Sequence, residues 1–132
     1  MALSLASVFQ DEDISLKVLQ VFANNSYDSM LITDATKDAK IIYANKAFKT
    51  LTGYDPSEVI GLTPRLLQGA ATDKTVIARL VDALKRNGRF EGKAVNYKKN
   101  GTPFIMYWRV LPVKVGKKTR LWVAIQREGS AV

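Results

Sequence analysis

The strand-forming runs of this chain fall in two groups, two before residue 45 and three after residue 89, with a helix-patterned block between them. Strands that alternate with helices build parallel sheets, whereas strands gathered on either side of a helical block pair through hairpins. The expected class is therefore α+β, with a five-stranded antiparallel sheet, a helical block on one face and an N-terminal flanking helix. Residues 29–33 and 40–44 read as the first hairpin, turning at 34–38. Residues 90–97, 103–113 and 119–127 read as a meander, joined by the turns Lys99-Asn-Gly101 and Val115-Gly-Lys117.

Between and before the strands the apolar period is helical. Residues 11–22 carry Ile14, Val18, Leu19 and Phe22 at helical spacing, and the acids at their start suit the helix dipole. Asn45 is expected to cap a helix that buries Ala47, Phe48 and Leu51 and stops at Gly53. Pro56 opens a short helix that Gly61 closes, and Thr63 with Pro64 opens another turn through Gly69. The longest segment of the block is expected over 73–87, with Thr72 as its cap and Ile77, Leu80, Val81 and Leu84 as its stripe. The division expected is a flanking cap at 1–26, a core at 27–128 and a tail at 129–132.

At 132 residues the chain has the size of one domain. It contains no cysteine and no histidine, which removes disulfides, thiolate nucleophiles, imidazole bases and the usual zinc and haem ligands. No paired carboxylates stand out, so an enzyme is not expected. No run of roughly 18 apolar residues could span a membrane. The opening MALSLASVF lacks a basic flank and does not read as a signal peptide, so the cytoplasm is the expected compartment. The net charge of +8 is concentrated late: after Ala71 the only acids are Asp73, Asp82, Glu91 and Glu128. No nucleic-acid motif accompanies that excess, and it is read as a solvated surface with neither a nucleic-acid nor a membrane partner.

Specific residues then sharpen the picture. Ile42-Tyr-Ala-Asn-Lys-Ala-Phe48, followed by Leu51-Thr-Gly-Tyr54 and Glu58-Val-Ile-Gly61, resembles the opening of a PAS core. Arg65-Leu-Leu-Gln-Gly69 resembles the signature of light-oxygen-voltage (LOV) PAS domains, which reads approximately Asn-Cys-Arg-Phe-Leu-Gln-Gly. Asn96-Tyr-Lys-Lys-Asn-Gly101, then Pro103-Phe104, resembles the segment after the long helix, and Gln126 falls where the family keeps a glutamine. The resemblance covers about residues 29 to 128.

The resemblance implies a flavin mononucleotide (FMN) pocket. Arg65 and Arg79 would pair with the terminal phosphate, and Gln68 would contact the ribityl chain or ring edge. Asn96 and Gln126 would hydrogen-bond the polar edge of the isoalloxazine. Thr33, Leu31, Phe48, Trp108 and Val110 would line the walls. The mononucleotide is expected over the dinucleotide because the connection from Gly69 to Asp73 is short. Three departures accompany the match. Pro64 replaces the reactive cysteine, so no flavin–cysteinyl adduct can form. Leu62 and Thr63 replace an arginine and an asparagine. Met106 replaces a second asparagine, a loss of about 1 kcal/mol or roughly fivefold in affinity.

The resemblance thus implies a cysteine-less sensory module that responds to blue light or redox state by electron transfer to the excited flavin. Trp108 and Trp122 are candidate donors, with Gln126 transmitting the change. The alternative is a flavin-free PAS domain that dimerises or docks a partner. Strand parity places Leu121, Val123 and Ile125, with Ile105, Tyr107 and Leu111, on the face away from the pocket. Such a surface, together with the apolar stripe of the N-terminal helix, is expected to form a homodimer interface.

Overall fold

The structure is a computed structural model describing residues 4–130, so the ends of the expected cap (1–3) and tail (131–132) lie outside the described residues. In chain order the elements are α1 (Leu5–Val8), α2 (Glu12–Asn24), β1 (Ser29–Asp34), β2 (Ile41–Ala44), α3 (Lys46–Thr52) and α4 (Pro56–Val59). A 3₁₀ turn (Pro64–Leu67), α5 (Lys74–Lys85), β3 (Phe90–Tyr97), β4 (Pro103–Val115) and β5 (Lys118–Glu128) follow. The five strands form one antiparallel sheet in the order β2-β1-β5-β4-β3, so the expected α+β class holds. β1 closes on β5 from Ser29↔Gln126 to Asp34↔Leu121, which places the last strand at the centre of the sheet.

Period two on these strands sorts their side chains. Leu31, Ala94, Phe104, Met106, Trp108, Val110 and Trp122 are buried on the inner face, beneath α3 to α5. Residues between them, such as Leu121, Val123, Ile125, Ile105 and Leu111, lie half-buried on the outer face.

The connections hold by local polar bonds. Asn45, fully buried, caps α3 by accepting from Phe48 N. It also accepts from Met30 N at 2.8 Å and donates to the carbonyls of Ala23 at 2.6 Å and Asp28 at 3.0 Å. One carboxamide thus ties α2, β1 and α3. Two expected caps do not form. Asp73, not Thr72, caps α5, accepting from Thr75 N. Thr72 is drawn away because its hydroxyl donates to Val95 O at 2.7 Å and accepts from Gly69 N. Thr63 makes no side-chain cap, its hydroxyl accepting from Arg65 Nε instead.

The N-terminal helix runs two residues further than expected, to Asn24, and is preceded by the unexpected turn of α1. Within α2 only Ala23 is buried; Phe22 is 73% exposed, and Ile14 and Leu19 are exposed as well. The sheet of the same chain therefore leaves this stripe uncovered. No helix among the described residues is long and apolar enough to cross a membrane.

Candidate functional site

Between the inner face, α5 and the 3₁₀ turn lies a pocket of about 610 Å³, mouth included. The sheet contributes Thr33 from β1, Asn96 from β3, Met106, Trp108 and Val110 from β4, and Trp122, Ala124 and Gln126 from β5. α5 contributes Ile77, Leu80 and Leu84, and the turn contributes Pro64, Leu67 and Gln68. Ala39, in the left-handed region at φ 49°, closes the lining from the β1–β2 turn.

Polar groups are few and buried. Gln126 and Asn96 are each 2% exposed. The Gln126 Oε1 accepts from the Ser29 hydroxyl at 3.0 Å, which leaves its NH₂ to offer a ligand. Asn96 keeps one long bond, Nδ2 to Ala94 O at 3.4 Å. Amides so placed in apolar surroundings are costly unless partnered, and a ligand with complementary edges partners them. Trp108 stands across the ladder from Gln126 and packs on Phe90, ring centroids 5.1 Å apart.

The roof is fixed by a second set of contacts. Ala71 N donates to the Tyr97 hydroxyl at 2.8 Å, and Gly69 lies so close to Tyr97 that a Cβ there would sit 2.3 Å from the ring. Only glycine permits that approach. With the Thr72 bonds, it pins the short connection after the 3₁₀ turn onto β3.

No lining residue is an acid or a base, and the described residues hold no cluster of three or more metal-ligating groups. The carboxyls of Asp34, Asp55 and Asp73 are held below their ordinary values chiefly by Thr36, Ser57 and Thr75, in turns and caps outside the pocket. Burial raises the Tyr43 phenol, which also lies outside it. The arrangement can recognise a flat amphipathic molecule; it offers no proton-transfer machinery.

Of the residues expected from sequence, Thr33, Gln68, Asn96, Trp108 and Gln126 come together here, as does Val110. Phe48 and Leu31 do not line the pocket: both are fully buried in the core. Arg65 is exposed on the turn beside Pro64, near the pocket but outside its lining. Arg79 also lies outside the lining. Its guanidinium lies over Phe90, 5.4 Å from the ring centroid, and against Gly92. The reason is helical phase: at 100° per residue, Arg79 points roughly 130° away from the Ile77–Leu80–Leu84 stripe. The same count assigns those three apolar residues to the site, a signal that the sequence contained and the expected residues omitted.

Comparison with known proteins agrees with this geometry. The PAS domain family matches residues 28–130. Phototropin-2 of Oryza sativa subsp. japonica is 39% identical over 112 residues, 84% of this chain and 12% of that protein. A blue-light-activated histidine kinase of Brucella anthropi is 43% identical over 86 residues, 64% of this chain and 18% of that protein. The chain thus spans less than a fifth of these relatives' length. Among solved structures, the LOV domain of a blue-light activated histidine kinase from Erythrobacter litoralis superposes with a TM-score of 0.75 at 32% identity. That match covers 79% of this chain and 97% of the other. The light-state Aureochrome1 LOV structure gives a TM-score of 0.75 at 29% identity, covering 88% and 89%.

Proposed function

We propose a sensory function for this chain, which belongs to the PAS domain family and to its LOV branch and carries no cysteine. It is read as a cytoplasmic flavin-binding module and not an enzyme, with residues 27–128 as core, 1–26 as flanking cap and 129–132 as tail. The observation that carries this reading is the pair of buried carboxamides, Asn96 and Gln126, aimed at an apolar pocket whose walls include Trp108 and Trp122. An isoalloxazine offers such amides its alternating donors and acceptors, and the pocket's apolar walls suit the ring.

FMN is the proposed form. The pinned connection from Gly69 to Asp73 leaves little length for a larger nucleotide, and Arg65 stands where a guanidinium can meet a phosphate. Arg79 has no part in this, being engaged with Phe90. Bound flavin would supply blue-light absorption and an excited state that accepts an electron. Pro64 provides no thiol at the position that matches the family's cysteine, so a covalent adduct is excluded. Trp108 and Trp122 provide indoles as donors, and Thr33 and Gln68 orient the ligand. Gln126, bonded to Ser29 at the start of β1, connects the pocket with the segment that leads back to α2.

The absorption spectrum of the purified protein tests the reading, together with mass spectrometry of the heat-released ligand. A flavin spectrum and the mononucleotide mass are expected, with photobleaching by blue light that is faster when a reductant is present. A colourless protein that takes up no added FMN would instead support a flavin-free interaction domain, and a dominant dinucleotide mass would overturn the FMN assignment.

A homodimer through the outer sheet face and α2 is part of the proposal. The support is that α2 presents an uncovered apolar stripe while the outer face presents half-buried Leu121, Val123 and Ile125. Light scattering on the wild type and on Val123→Asp should show a dimer that the substitution dissociates. A monomeric wild type would sink this part.

A further inference from the structure

Beyond Val110 and Leu121 the β4–β5 hairpin outruns its neighbours, since β3 pairs with β4 only as far as Val110 and β1 with β5 only as far as Leu121. The projecting residues form a finger closed by the Val115↔Lys118 pair. Gly116 turns its tip at φ 62°, as the first position of a two-residue hairpin loop requires. A register shift at Val113/Lys114 adds a local twist.

The finger's surface has a distinct composition. Lys114, Lys117, Lys118 and Arg120 are all exposed. Ion pairs among the described residues engage Lys49, Arg86, Lys98, Lys99 and Arg127, none of them in the finger. The acid nearest its base on the ladder, Asp34, already accepts from Thr36 and from Lys40 N. Between these cations Val113 and Val115 stand 40% and 65% exposed. A solvated edge needs the lysines but not the valines, and a nucleic-acid surface would place polar or aromatic groups there.

We propose that this finger docks on an anionic phospholipid surface, the cations meeting headgroup phosphates and carboxylates while Val113 and Val115 enter the interfacial layer. Charge complementarity and the interleaved apolar tip together select this partner. Each basic residue near such a surface raises partitioning about fivefold, so four of them suffice for a measurable, salt-sensitive and reversible association.

Co-sedimentation of the full chain with vesicles decides the matter. Binding is expected with phosphatidylcholine vesicles that contain phosphatidylserine and not with phosphatidylcholine alone. Lys117→Gln with Lys118→Gln should lower it about 25-fold, and Val115→Ser severalfold, with circular dichroism unchanged in both. The proposal is overturned by absence of binding, by equal binding to both vesicle types, or by binding that either substitution leaves intact. Tighter binding to duplex DNA, unaffected by Val115→Ser, would overturn it in favour of nucleic acid.

Discussion

The two faces of one sheet are made from the same five strands, yet they follow different rules. On the inner face most alternate residues are buried, Gly92 and Ala124 being half-buried, and the polar ones, Ser29, Thr33, Asn96 and Gln126, are as buried as the apolar ones. On the outer face the apolar residues are left half-covered, and the polar ones, Tyr107 with Glu91 and Arg127 with Asp28, pair at the surface. The inner face is organised around placing a few amides in a dry space, which demands exact partners. The outer face is organised around area, which tolerates exchange. The candidate site and the proposed dimer surface are thereby separated by the thickness of one backbone.

Truncation gives the largest expected contrast between them. Leu31→Ala, at a fully buried inner position, should cost about 3 kcal/mol of unfolding free energy, in the range for large-to-small core changes. Val123→Ala, on the outer face of the adjoining strand and paired with Ile32, should cost about 1 kcal/mol. Urea denaturation measures both, and equal losses would erase the distinction. A smaller effect separates the two arginines. Arg65→Ala should weaken FMN retention by about 1 kcal/mol, because the guanidinium is exposed. Arg79→Ala should leave retention unchanged and lower stability by about 0.5 kcal/mol through the lost stack on Phe90. Equilibrium titration with FMN and thermal unfolding distinguish these outcomes.

The smallest effect concerns pH. Asp34, Asp55, Asp73 and Glu58 have folded pKa values below their ordinary 3.8 and 4.5, so their contribution is present above those values and is lost as pH falls through the folded ones. Lys99, raised above 10.5 chiefly by Glu58, contributes below that value and loses its contribution as pH rises through the folded pKa. Stability should therefore be flat in the neutral range and fall in acid, and Asp55→Asn should make the acid fall shallower. An unchanged acid limb in that variant would refute the assignment to this cap.

Much of this was legible in the chain. Period two on residues 104–110 and 122–126 assigned pocket and outer faces correctly, because a strand has only two sides. The long helix is legible as an apolar stripe, yet it is the resemblance and not helical phase that gives Arg79 its expected place at the phosphate. Thr72 was misjudged for a related reason: a cap and a cross-element bond compete for one hydroxyl, and only the folded arrangement shows Val95 O within reach. Ala39 left no signal, since its place in the pocket depends on how the β1–β2 turn folds over the mouth. Local pattern determines which way a residue faces; what it meets there depends on elements distant in sequence.

Asn45 carries a consequence of another kind. Its four hydrogen bonds serve the end of α2, the start of β1 and the first turn of α3, and Asn24 adds one further link from α2 to α3 by accepting from Lys46 N at 3.1 Å. A junction carried mainly by one side chain behaves as a fuse. When it opens, three segments are released in one event, so amide exchange at Met30 and Phe48 should share a single opening rate. The flanking helix would then come away from the core as a unit, and any signal that loosens this one side chain would reach the N-terminus in a single step.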